Sequence, residues 1–168
     1  MEVWRGPDCF RAMLMPLSAL HEDPRNARRH SERNIEVIRA SMASWGQDQP
    51  VVALANGRVI IGNGRLRAAR LIGWTHLAVV RTILDERAAI LRALADNKSA
   101  ELASWDFDVL RSDFEEVDGG DLNVDLSGFD AEEIESIATY AGKGEEERGG
   151  VTCPKCGETF HPAKKAKK

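Results

Sequence analysis

Gly62-Asn63-Gly64 is followed at once by Arg65 and Arg67, and the four residues before it, Arg58 to Ile61, read as a β-rich run. A glycine turn that leaves a strand and opens a helix presents backbone N–H groups at a helix N-terminus, where unpaired donors and the helix dipole both favour an anion. Arginines in that first turn oppose the dipole unless an anion is present, which points to phosphate binding. A plainer reading, in which the glycines only permit a tight turn and the arginines are solvated, stays open. The run is not a P-loop, because no Lys-Ser/Thr pair follows, and not a dinucleotide fingerprint, because position 67 is Arg rather than Gly.

The second chemical constellation is Cys153-Pro154-Lys155-Cys156-Gly157 with His161 beyond it. The turn between two such cysteines lets both thiolates face one Zn²⁺, and the following glycine permits the bend. A zinc knuckle would add a fourth ligand at 166, where Ala166 stands. Cys9, a second subunit or water could supply it; His161 could equally be uninvolved, with two CxxC pairs sharing a metal across a dimer, or the CxxC could be metal-free. Lys164, Lys165, Lys167 and Lys168 fit either a phosphate-contacting tail or a solubilising end. His21, His30 and His76 have no metal spacing, and His30 reads as a loop or cap residue.

The elements that must hold these groups are legible in order. Residues 1–16 carry no clear periodicity and read as a lead-in, with structure beginning near Leu17. The loop from His21 to His30 leads to Ser31, placed to cap an amphipathic helix from about Glu32 to Trp45, whose Ile35, Ile38, Met42 and Trp45 recur at spacings of 3, 4 and 3. Gly46 stops it. Val51 to Leu54 and Arg58 to Ile61 flank Asn56-Gly57, a hairpin signal. A helix then follows the glycine turn and ends at Gly73; Leu77 to Ile83 is a strand candidate. Glu86 to Ser99 reads as a helix with Ile90, Leu91 and Leu94 at helical spacing. Phe107, Leu110 and Phe114 mark a short helix, Glu115 to Asp125 a solvated acidic loop, and Asp130 with Glu133 a capping-box start to a last helix. The resulting divisions are 17–105 as the main domain, 106–140 as an acidic helical extension, 141–150 as a linker and 151–168 as the CxxC basic tail.

With 168 residues, 43% hydrophobic and 30% charged, the chain suits one main globular domain rather than a collagen-like or disordered one. The stretch Met13 to Leu20 is apolar, but Arg11 and Pro16 interrupt it and no cleavage-site pattern follows, so a cytoplasmic protein without a membrane span is expected. The net charge of −4 conceals a partition: residues 1–105 carry +4, residues 106–140 carry −11 and residues 141–168 carry +3. Binding follows the local field, so the average does not argue against nucleic acid. Three cysteines do not make a disulfide framework.

Four ordered blocks, Asp23-Pro-Arg-Asn-Ala-Arg-Arg-His30, Ser41-Met-Ala-Ser-Trp-Gly-Gln-Asp-Gln-Pro50 with its following strand, Arg58 to Val80, and Ala93 to Leu102, together resemble the ParB N-terminal domain of the ParB/sulfiredoxin fold, also called ParB-like nuclease. The variant is similar to phage and prophage ParB-like proteins, some of which are fused to or encoded beside DNA methyltransferases. The resemblance implies an α+β fold, a small mixed sheet with flanking helices, and a pocket for CTP or ATP with Mg²⁺. It assigns Arg28 to an early nucleotide-contacting segment, Gly46, Gln49 and Pro50 to a block lining base and ribose, Gly62, Asn63, Gly64, Arg65 and Arg67 to the phosphate motif, and Asp96 with Asn97 to the metal-contacting pair.

The departures bear on activity. Asn63-Gly64 stands where the partition proteins have an acid and a further arginine, Asp96 shortens a glutamate, and Ser99-Ala100 replace Gln-Arg. Phosphate binding survives these changes better than hydrolysis. Sulfiredoxin chemistry is not expected, because its cysteine is replaced by Asn63, and an amide cannot act as a thiol nucleophile. The expectation is therefore a DNA-associated, nucleotide-binding module. Alternatives are a metal-dependent nuclease or NTPase, with Asp96 as the nearest candidate catalytic carboxylate, and a non-catalytic adaptor for a DNA methyltransferase or packaging enzyme. DNA, such a phage partner and a second copy of the chain are the partners considered.

Overall fold

Ser31 accepts a hydrogen bond from the Asn34 amide and starts α1, Glu32–Trp45, which ends where Gly46 turns to φ +81°. In the computed structural model, which describes residues 5–118 and 124–139 and the backbone of 151–152 and 159–160, the predicted hairpin forms from β3, Val51–Leu54, and β4, Arg58–Ile61, paired antiparallel. Gly62, at φ +90°, then opens α2, Asn63–Ile72, and Gly73, at φ +88°, closes it. β5, His76–Thr82, lies parallel to β3.

Two short strands complete the sheet. Leu14–Pro16 forms β1, antiparallel to β5, and His21–Glu22 forms β2, parallel to β4. The five-stranded mixed sheet has the order β1-β5-β3-β4-β2. Structure therefore begins earlier than Leu17: a 3-10 helix at Asp8–Met13 leads into β1, and the Arg5 carbonyl accepts from the Gln47 amide at 2.8 Å. Strands of two and three residues carry too little alternation to register as sequence periodicity.

α1 and α2 pack on one face, where Met42 and Leu66 share a core cluster with Val51, Ala53, Val59, Leu77 and Val79. Their close approach requires Gly64, where a Cβ would stand 2.8 Å from the Ile38 side chain and 3.0 Å from His30. The opposite face meets α3, Glu86–Leu102, chiefly through Ala89 against Ile60 and Ile61. Ile90, Leu91 and Leu94 do not form a buried stripe; Leu91 is 69% exposed. α3 meets the sheet mainly at β4, and Val52 and Leu54 of β3 pack against the same cluster.

The acidic extension is more structured than expected. α4 runs Phe107–Asp118, into the stretch from Glu115 to Asp125 read as loop, a 3-10 turn covers Val124–Ser127 across its end, and α5, Ala131–Ala138, opens with the full Asp130/Glu133 capping box. Arg33 of α1 holds it by pairing with Asp130 and Glu133 and donating to the Gly128 carbonyl. Val151–Thr152 and Thr159–Phe160 pair antiparallel. Cys153, Cys156 and His161, the linker and the lysine tail lie outside the described residues. Among the described residues, no helix is long and apolar enough to cross a membrane.

Candidate nucleotide-binding cleft

The first turn of α2, the carboxyl half of α1, the loop before β3 and the side of α3 enclose a cleft of about 400 Å³. That volume is in the range of small-molecule sites. Val37, Ile38, Met42, Ile60 and Ile61 give it apolar walls, and Arg28, Asp48, Arg65, Asp96 and Asn97 bring charge and polarity.

The α2 entrance is built by two constraints. Asn63, 5% exposed, accepts the Asp23 amide on Oδ1 at 3.1 Å, tying the helix start to the loop after β2. Gly62 has no room for a side chain: a Cβ would lie 2.8 Å from both Val51 and the Arg65 guanidinium. Arg65 folds back across this turn, donating through Nη2 to Gln49 Oε1 at 2.6 Å and through Nη1 to the Pro50 carbonyl at 3.4 Å. Burial pushes its pKa down, against the pull of Asp48 and Asp96. Arginine remains charged through such shifts, so the cleft holds a partly desolvated cation beside helix-terminal amides.

The Gln49 loop is held by Gln47, a residue the sequence reading did not single out. Gln47 is 1% exposed; its Oε1 accepts the Ala78 amide at 2.7 Å, and its Nε2 donates to the Ala78 and Gln49 carbonyls at 3.0 Å each. The amide side chain thus stands in for a strand neighbour beside β5. A glutamine near Gly-x-x-x-Pro carries no periodic signal that would mark it.

Arg28 is presented by a local turn in which the Asn26 side chain accepts the Arg28 amide at 3.2 Å and donates to the Arg28 carbonyl at 3.0 Å. Its guanidinium pairs with Glu101 at the far end of α3. Asp96 sits on the same helix, 3.5 Å from Arg92, and Asn97 donates to the Ala93 carbonyl at 3.0 Å. No group of three or more potential metal-ligating side chains exists among the described residues. Mg²⁺ commonly takes only one or two protein carboxylates and completes its shell with water and phosphate oxygens. Asp96 and Asn97 fit an ion of that kind arriving with a phosphate ligand.

Of the residues assigned by resemblance, Arg28, Gln49, Gly62, Asn63, Gly64, Arg65, Asp96 and Asn97 line one cleft. Gly46, Pro50 and Arg67 are not among its lining residues. Gly46 turns the chain beside Arg5, whose carbonyl oxygen would be 2.1 Å from a Cβ there. Pro50 contributes its carbonyl to Arg65. Arg67 instead pairs with Glu22 at 3.2 Å, because residues two apart on a helix point roughly 200° apart and cannot share a face. Asn26, His30, Ser41 and Asp48 line the cleft without having been assigned to it. His30 lies in the loop just before the Ser31 cap, as expected, and also borders the cleft: it bonds Asn34 at 2.6 Å and lies against the Gly64 approach.

Fold and cleft together define a small mixed-sheet domain with an anion-compatible cleft at a strand–glycine–helix turn. The chain belongs to the ParB N-terminal domain family, whose sequence model matches residues 11–102. Among solved structures it is similar to the C-terminally truncated chromosome-partitioning protein ParB from Caulobacter crescentus complexed with CTP-gamma-S, at 20% identity and a TM-score of 0.56, covering 74% of each chain. The same protein complexed to the centromeric parS site matches at 22% identity and TM-score 0.44, covering 61% of this chain and 58% of that one. Sulfiredoxin from Arabidopsis thaliana matches at 14% identity and TM-score 0.40, covering 49% of this chain and 97% of that one. No curated protein sequence matches the chain.

Proposed function

We propose that the domain binds a nucleoside triphosphate, CTP or ATP, with Mg²⁺, and works in association with DNA. The observation that carries this reading is the convergence of Arg65, Arg28 and the Gly62–Gly64 turn on one cleft with apolar walls. The turn and arginines suit the phosphates, the walls suit a base, and Asp96 with Asn97 suit a nucleotide-borne Mg²⁺. Caulobacter ParB with its CTP analogue supports the nucleotide half of the reading, and the net charge of +4 over residues 1–105 supports the DNA half.

Binding is favoured over catalysis. Asp96, the candidate carboxylate, is already assigned to the metal, and Asn63 stands where the resemblance places the acid of the partition proteins. A nuclease or NTPase remains the second reading on the strength of Asp48 and Asp96 sharing the cleft; turnover that survives nuclease-free purification and disappears in Asp96→Ala establishes it. We further propose a cytoplasmic protein of phage or prophage type, with a Zn²⁺-binding tail at Cys153, Cys156 and His161 and a methyltransferase or packaging enzyme as partner. Zinc content by mass spectrometry before and after Cys153→Ser tests the tail. Calorimetric titration with CTP, ATP and GTP in Mg²⁺ tests the central reading: binding of CTP or ATP supports it, and no binding of any of the three refutes it.

A further inference from the structure

A second hollow, of about 320 Å³, lies between the carboxyl end of α1, α4 and the segment from Val124 to Phe129. It shares no lining residue with the nucleotide cleft. Its walls are apolar and largely aromatic, built from Trp45, Trp105, Leu110, Phe114, Val124 and Phe129. The Phe129 ring meets Trp105 edge-on at 5.6 Å and Phe114 at 5.2 Å, so the aromatic wall is pre-arranged. Leu110 is buried beneath it, whereas Trp45 is 57% and Trp105 63% exposed. Large side chains of that kind at the edge of a concave surface are typical anchors for a partner.

The charge around the groove selects the partner's chemistry. By sequence, residues 106–140 hold twelve Asp and Glu and one arginine; Arg33 of α1 meets Asp130 and Glu133, and Arg111 faces Asp108 and Glu115 at 3.7 and 3.9 Å, which leaves the segment strongly acidic. Asp113 stands in the groove lining itself. Such a field repels phosphate and attracts cations. We propose that this groove docks a short segment of a partner protein in which apolar side chains are flanked by lysines or arginines, the apolar ones entering the hollow against Trp45 and Trp105 and the cations meeting Asp113 and the acidic extension around it. Helix-in-groove recognition uses this division of labour. The inference is independent of nucleotide binding, since the two sites share no residue.

The test uses the full chain and a fluorescein-labelled 12-residue amphipathic peptide of leucine and lysine, with a control that keeps every leucine and replaces every lysine by glutamate. Anisotropy is expected to rise with the leucine–lysine peptide, and the control to bind at least about tenfold more weakly. Trp105→Ala and Asp113→Lys are each expected to weaken binding about tenfold. Both residues are exposed, so circular dichroism should show the fold retained, and either variant alone keeps the test decisive. No binding, equal binding of the glutamate control, or binding undiminished in both variants overturns the proposal. It is also overturned if the peptide binds only after Lys164, Lys165, Lys167 and Lys168 are changed to serine, because the chain's own tail would then be the occupant.

Discussion

Arg28 and Glu101, 73 residues apart in sequence, form an ion pair that joins the loop before α1 to the end of α3 at the cleft. Arg28 lines the cleft, so a bound phosphate and Glu101 compete for one guanidinium. Glu101→Gln is therefore expected to tighten nucleotide binding about threefold, the scale of an exposed ion pair. Calorimetry of the variant checks this; unchanged or weaker affinity excludes the competition.

The two arginines that open α2 should separate cleanly. Arg65, lying between Gln49 and Pro50, is expected to cost about tenfold or more in nucleotide affinity when changed to alanine. Arg67→Ala is expected to leave affinity unchanged, because its side chain is engaged with Glu22 on another face of the helix. Equal losses in both variants would contradict this assignment.

Gly64→Ala tests the close approach of α1 and α2. The added methyl would meet the Ile38 side chain at 2.8 Å. Overpacking of this kind costs about 1–3 kcal/mol, to be read as a lower midpoint in urea unfolding.

Gln47→Leu removes the side chain that satisfies both backbone groups of Ala78. Leaving those buried groups without partners should cost about 1–3 kcal/mol of stability. Nucleotide affinity should fall as well, because Gln47 also fixes the Gln49 carbonyl.

Acid should loosen the ion pairs that Glu86, at the start of α3, makes with Arg58 and Arg25. The Glu86 carboxyl is held below its ordinary pKa, first by the hydrogen bond from Arg58 and then by Arg25. The folded chain thus binds fewer protons than the unfolded chain across that interval, and stability rises with pH there. The contribution is complete above the unfolded glutamate value of about 4.3 and drains as pH falls through the lower, folded value. Thermal unfolding from neutral pH to below 4.3 should show a loss that is smaller in Glu86→Gln than in the parent chain.

The local elements were legible because single residues announce them: Ser31 as a cap, Asn56-Gly57 as a hairpin, and Gly62 and Gly73 as helix boundaries. What escaped is set by contacts distant in sequence. β1 and β2 exist only because β5 and β4 offer edges, and Gln47 gains its role only beside Ala78. Arg67 follows the glycine turn almost as closely in sequence as Arg65 does, yet helical geometry turns it away from Arg65 and toward Glu22. His30 and Asp48 join the cleft through the packing of α1 against α2 and the Gln47-held loop, which spacing alone does not reveal.

The central claim is that the cleft around Arg65 takes a nucleoside triphosphate, and calorimetric titration of the intact chain with CTP, ATP and GTP, with and without Mg²⁺, tests it most directly. The account predicts Mg²⁺-dependent, one-to-one binding of CTP or ATP that is lost in Arg65→Ala and retained in Arg67→Ala. Absence of heat with all three nucleotides, or binding that survives Arg65→Ala undiminished, would contradict it.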